Sequence, residues 1–322
     1  MYMKVIMTLF TSDVQDNHDP IYRHLATLEQ YANKIPEIML QEKIILREKV
    51  CALWDKYGDR LDRNKSRQEI KTHFNSVYWE LYLCKVLSSI GFNLNDRKQI
   101  GPDFNCVYQG LPEEFYFEAI SVKSGEGNNS SEMKCTKISE LKDDEEIPVY
   151  NYSADLLKLR ITQGIQEKSN KFRTYIDNGI ISDTSFPIIA IHYPNELGFL
   201  SGVSGLTIFH ESVFPLGPVI VTFDTKTYKP IQTSNLYSPV ISKHTGAEIP
   251  TTFFLSDTSS NISGLLFSNI SYTADKEEAC SVGFIHNPFA KNPIQTGLFK
   301  NTEYGEWKAA ISENEQLQIL QI

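Results

Sequence analysis

Residues 186–193, FPIIAIHY, make an uninterrupted apolar run rich in β-branched side chains. A strand with one wet face alternates polar and apolar residues, so a short run this apolar fits a strand covered on both faces, as in a sheet flanked by helices. The chain supplies helices to cover it. Residues 18–95 carry apolar residues at three- and four-residue spacing with few glycines or prolines, which predicts a mostly helical region. Within it, IPEIMLQEKIILREKVCALWDKYGDRL reads as one long amphipathic helix or two. RQEIKTHFNSVYWELYLCKVLSSIGFNL reads as another, stopped at Gly91, a residue suited to the position just past a helix end.

DFNCVY and EFYFEAIS follow, joined by QGLPE, and predict a β-hairpin. Residues 122–150 carry glycine, serine, asparagine and a run of acids with little periodicity, and are expected to form a long loop. SADLLKLRITQGIQEKSNKFRTYIDNG returns to helical period and ends at Gly179. After the buried strand, LTIFHESVF, PVIVTFDT, TTFFLS, ISGLLFSNISY and CSVGFIHN all read as β, separated by glycine and proline turns. The expected fold is α/β. A helical region over residues 1–73 precedes a core over 74–195, and a β-rich extension over 196–322 packs on that core as part of one continuous globule.

The 322 residues are 41% apolar and 11% aromatic, enough for a substantial core. A net charge of −9 means that a polyanion would be held only by a local basic groove. The five cysteines form no C-x-x-C pair, so zinc and dithiol redox chemistry have no motif, and reduced thiols in a cytoplasm are the simplest reading. MYMKVIMTLFTSD is too short an apolar run for a secretory signal, and no stretch approaches the roughly 18 apolar residues of a membrane span. G-x-S-x-G, H-E-x-x-H, the P-loop and G-x-G-x-x-G are all absent, which leaves serine hydrolase, zinc protease, NTPase and Rossmann readings unsupported. The seven histidines show no ligand-type spacing.

The residues with chemical potential are acids and one lysine. Asp103 opens the first strand of the hairpin and Glu118 lies near the end of the second, so the two carboxylates converge at one sheet edge. Like charges held together need a cation, and oxygen ligands suit Mg2+ or Mn2+. On the preceding helix, Glu80 falls inside the apolar stripe of Val77, Leu81, Cys84 and Leu87, a costly position for an unpaired acid. On the following helix, Ile161, Ile165, Phe172 and Ile176 define a stripe whose missing step is Lys168. If that face packs on the sheet, the ammonium points at the hairpin acids.

Helix with an acid, hairpin with P-D then E-x-x, helix and buried strand together resemble the PD-(D/E)XK nuclease superfamily over residues 74–195. The resemblance implies a restriction-endonuclease-like mixed sheet flanked by helices. It also implies Mg2+- or Mn2+-dependent hydrolysis of nucleic acid, DNA in the first instance, with Asp103 and Glu118 as metal acids and Glu80 assisting. The family places a lysine two residues after the glutamate, where this chain has Ile120. Lys168 is the expected replacement, supplied from the helix, and Lys123 at the strand's end is the nearer alternative. Lys123, Arg160 and Lys171 are the expected phosphate contacts, within a basic stretch that also holds Lys158 and Arg173. A homodimer would suit double-strand cutting, although no coiled-coil heptad supports one. The competing reading is an inactive nuclease-like module that binds nucleic acid or protein, in which Ile120 marks lost chemistry.

Overall fold

The computed structural model describes residues 48–70, 73–123, 134–138, 147–151, 154–194, 202–243, 245–270, 280–311 and 317–322. Of the expected N-terminal helical region, residues 1–47 lie outside the described residues. Residues 48–57 form helix α1. Helix α2 (Arg63–Glu69) is capped by Asp62, whose side chain accepts from the Lys65 N–H, satisfying one of the amides a helix start leaves unpaired. Helix α3 (Phe74–Ile90) is separate from α2, and it stops at Gly91 with φ of 108°, a left-handed conformation that favours glycine.

Strands β1 (Phe92–Leu94), β2 (Phe104–Tyr108) and β3 (Glu114–Ser121) then run antiparallel to one another in turn. The stretch expected as a structureless loop contains β4 (Lys134–Ile138) and β5 (Ile147–Asn151), an antiparallel pair of its own. Helix α4 (Ala154–Asp177) carries the chain to β6 (Phe186–His192), the run that opened the sequence reading. β6 pairs in parallel with β3 on one side and with β11 (Gly264–Ser268) on the other. Five of its seven residues, Ile188 to His192, are wholly buried, which is why its sequence shows no alternation.

Two of the segments read as strands are helical instead. LTIFHESVF forms the short helix α5 (Ile208–Val213), all six residues of which are buried. TTFFLS supplies a 3-10 turn at Phe253–Leu255. Both are β-rich in composition, but burial between other elements outweighs so weak a preference. β7 (Leu216–Phe223) and β8 (Pro230–Tyr237) pair as a hairpin whose outer residues are exposed on both faces. β9 (Val240–Ser242) and β10 (Glu248–Pro250) make a smaller pair.

The main sheet is mixed and has eight strands in the order β1-β2-β3-β6-β11-β12-β13-β14, where β12 is Gly283–His286, β13 Glu306–Ile311 and β14 Leu317–Gln321. The C-terminal strands therefore continue the sheet of the segment 74–195. Helix α3 covers one face, against Phe115, Phe117, Ala119, Ile188, Ala190 and Phe284. Helices α4 and α5 cover the other, against Tyr116, Ile120, Ile189, Ile191, Leu265 and Phe267. Alternate residues of each central strand thus feed two cores, and each large apolar side chain so buried contributes about 1.5–3 kcal/mol. Among the described residues, no helix is long and apolar enough to cross a membrane.

Candidate active site

The hairpin, α3 and α4 meet at the C-terminal end of β3, inside the sheet. β2 and β3 are in register from Phe104 opposite Phe117 to Val107 opposite Glu114, so β3 runs past the start of its partner. At Ala119 the place of a β2 backbone acceptor is taken by a side chain: the Ala119 N–H donates to Asp103 Oδ2 at 2.9 Å. Asp103 is thereby anchored against the strand that carries Glu118, and the Ala119 carbonyl leaves the strand on the same edge as its N–H.

Glu118 faces the opposite way from Phe117 and Ala119, toward α4, and its side chain is 1% exposed. A carboxylate so buried needs partners, and α4 supplies three. Lys168 Nζ donates to Glu118 Oε2 at 2.6 Å, Lys171 Nζ to the same oxygen at 3.4 Å, and the Tyr175 hydroxyl to Oε1 at 3.1 Å. Residues 168, 171 and 175 stand three and four apart, one stripe of a helix. Lys168 also lies 3.5 Å from Asp103 Oδ2, so a single ammonium contacts both acids. On the far side of Asp103, Arg97 Nη2 stands 3.6 Å from Oδ1, too long for a hydrogen bond.

Ile120 follows Glu118 on the same face and packs against α4. A Cβ at Gly164 would meet Ile120 Cδ1 at 3.0 Å, so glycine lets the helix approach the strand there. One helical turn later, Lys168 reaches over Glu118. Ile120 on the strand and Lys168 on the helix are thus two parts of one packing arrangement.

The electrostatics follow from this geometry. Burial works to lower the Lys168 pKa, but Asp103 and then Glu118 outweigh it and hold the ammonium charged beyond its ordinary range. Burial, with Glu118 close by, keeps the Tyr175 phenol protonated well above its usual value. Glu80, partly buried on α3, is pushed up to about 7 by burial and then by Asp103. Among the described residues, no three His, Cys, Asp or Glu side chains form a group that could hold a metal by themselves. Asp103, Glu118 and the Ala119 carbonyl are nevertheless hard oxygen donors at the end of β3, and Mg2+ needs only one or two carboxylates because it keeps several waters. The donor chemistry fits Mg2+ or Mn2+, with the Lys168 ammonium as its neighbour.

The structure thus brings together Asp103, Glu118, Lys168 and Lys171, with Glu80 near enough to feel the charge of Asp103. Lys123 is exposed beyond the end of β3. Arg160 is partly buried in the first half of α4. Lys158, read as part of a basic face, is not available to phosphate: it is 5% exposed and its Nζ lies 2.9 Å from Glu211 Oε2 on α5. Arg173 is turned to the Thr258 carbonyl at 3.2 Å. His286, at the end of β12, and Lys291, in the turns after it, are tied to Glu306 and Asp183. Sequence reasoning passed over two members of the cluster. Tyr175, seven residues after Lys168, was detectable from helical spacing; Arg97, in an irregular segment, had no periodic signal.

Compared with known proteins, the chain matches no family model, no curated protein and no solved structure.

Proposed function

We propose that the protein is a metal-dependent nuclease with a restriction-endonuclease-like core, hydrolysing phosphodiester bonds of nucleic acid, DNA in the first instance. The observation that carries this reading is the Lys168 ammonium shared between Asp103 and Glu118, 3.5 and 2.6 Å away, at the end of β3 where Asp103 bonds the Ala119 N–H. Two converging acids and one cation, drawn from three elements of a mixed sheet flanked by helices, match the arrangement the sequence resemblance implies.

In this reading Asp103, Glu118 and the Ala119 carbonyl would hold Mg2+ or Mn2+, with Glu80 assisting from α3. The ion, when bound, supplies a water of lowered pKa and neutralises phosphoryl oxygens. The Lys168 ammonium, in contact with both acids, stands where it can serve as a donor. It orients the attacking water or bonds the charge developing on the phosphoryl oxygens. Lys171, 53% exposed, can turn from Glu118 to a non-bridging phosphate oxygen. Tyr175 keeps Glu118 oriented throughout.

A second reading has an observation of its own. Glu118 already receives three donors, and a carboxylate so well satisfied suits a structural ion cluster in an inactive binding module. Cleavage of single- and double-stranded DNA and RNA with Mg2+ or Mn2+, wild type beside Asp103→Asn and Lys168→Met, separates the two. Cleavage lost in both variants supports the nuclease. Nucleic-acid binding without cleavage, unchanged by either substitution, supports the module.

A further inference from the structure

Asp103 also borders a shallow, solvent-open surface cleft lying between the segment after β1 and the turn after α4. Arg97 and Lys98 line one side, and Ile100 and Ile180 give it apolar surface. Asp96 also lies there, but its carboxylate is bonded by Arg60 from the 3-10 turn Gly58–Arg60, so that acid is screened from its neighbour Arg97. Arg97 is held only loosely by Asp103, at 3.6 Å, and Asp103 has Lys168 as a second cation. Lys98 is exposed, and the acid that feels its charge, Glu114, is already bonded by Tyr116 and Asn105. The cleft therefore presents a guanidinium and an ammonium, neither held by a short ion pair, beside an apolar wall and next to a proposed metal acid.

We propose that this cleft seats the nucleotide adjoining the phosphate that is hydrolysed, with Arg97 and Lys98 bonding its backbone phosphate and Ile100 and Ile180 contacting its sugar or base edge. A guanidinium matches phosphate in a bidentate fork, and an acidic protein needs such a local cationic groove to hold a polyanion. The inference rests on the nuclease reading and extends it from the reacting group to the substrate strand.

The test is equilibrium binding of fluorescent 12-nucleotide single-stranded and 20-base-pair duplex DNA and RNA, in EDTA across a salt series. Wild type is compared with Arg97→Gln and Lys98→Gln, and with Lys226→Gln on the β7–β8 turn, which does not line the cleft; thermal melts confirm folding. Each cleft variant is expected to weaken binding about 5- to 10-fold and to lower the slope of log affinity against log salt by about one, the loss of a single phosphate contact. The control should match wild type. Wild-type binding that neither cleft substitution changes overturns the cleft and leaves the nuclease reading standing. Wild-type protein that binds none of the four probes, and cleaves none when Mg2+ is supplied, overturns both.

Discussion

Lys168 Nζ lies 2.6 Å from Glu118 Oε2, joining the middle of α4 to a carboxylate only 1% exposed on the central strand β3. This pair shows how a chain with Ile120 two residues after Glu118 still presents a cation to its acids. The cation comes from the helix that Ile120 packs against.

Replacing Lys168 with Met should lower cleavage by about 100-fold or more, the usual scale for losing a donor to developing charge. Stability should fall by about 1–3 kcal/mol, below the cost of breaking an isolated buried pair, because Lys171 and Tyr175 still bond Glu118. Adding Ile120→Lys to that variant should restore part of the activity, since residue 120 shares the face of Glu118. Single-turnover cleavage and urea unfolding read the two effects; a Lys168→Met protein as active as wild type removes the lysine from the mechanism.

Gly164→Val should push α4 off β3, because even a Cβ there meets Ile120 Cδ1 at 3.0 Å. Overpacking of this kind costs about 1–3 kcal/mol and should reduce activity by displacing Lys168. Ile120→Ala in the same chain should recover much of both losses. A double-mutant cycle with no coupling would show that this contact does not set the helix position.

Asp103 has a structural bond to Ala119 as well as its proposed metal role. Asp103→Asn retains an oxygen that can accept from the Ala119 N–H, so stability should stay within about 1 kcal/mol of wild type while cleavage is lost. Asp103→Ala should lose both. Equal stability of the two variants would mean that the hydrogen bond at 2.9 Å contributes little.

Glu80 makes stability depend on pH. Its folded pKa is raised from 4.5 to about 7, so between those values the folded state binds more protons than the unfolded one, and this group's contribution falls as pH rises. Measured in EDTA, Glu80→Gln should therefore become progressively more stable relative to wild type from pH 4.5 to 7, with no further change above. The buried His192 and His210, lowered to about 4 and about 3, act in the opposite sense: their contribution is full above pH 6.5 and is lost on acidification through their folded values. They are common to both proteins and cancel in the difference. A flat difference across the range would place the Glu80 carboxyl in water.

The pair formed by Lys158 and Glu211 is buried on both sides, with Glu211 Oε1 also accepting from the Ser204 N–H at 2.6 Å. Lys158→Met alone should cost about 3–5 kcal/mol by stranding Glu211, and Lys158→Met with Glu211→Leu should recover most of it. Cleavage per folded molecule should be unchanged if this lysine is purely structural. A fall in activity without a fall in stability would return Lys158 to the substrate face.

What the amino-acid order determined by itself is the set of faces. FPIIAIHY announced a strand covered on both sides, Gly91 the end of α3, and the gap at Lys168 in the stripe of Ile161, Ile165 and Phe172 a cation on the buried side of α4. These are consequences of the 3.6- and 2-residue periods, which are local. Which faces meet was decided by tertiary packing. The continuation of the sheet from β6 into β11 joins segments more than 70 residues apart, and no local pattern encodes a partner at that distance. LTIFHESVF became a helix because all six residues of α5 are buried between other elements, and Lys158 left the basic face because α5 brought Glu211 to it. Arg97 joined the site from a segment without periodicity. Periodicity states what a residue turns inward; only the packed chain states what it finds there.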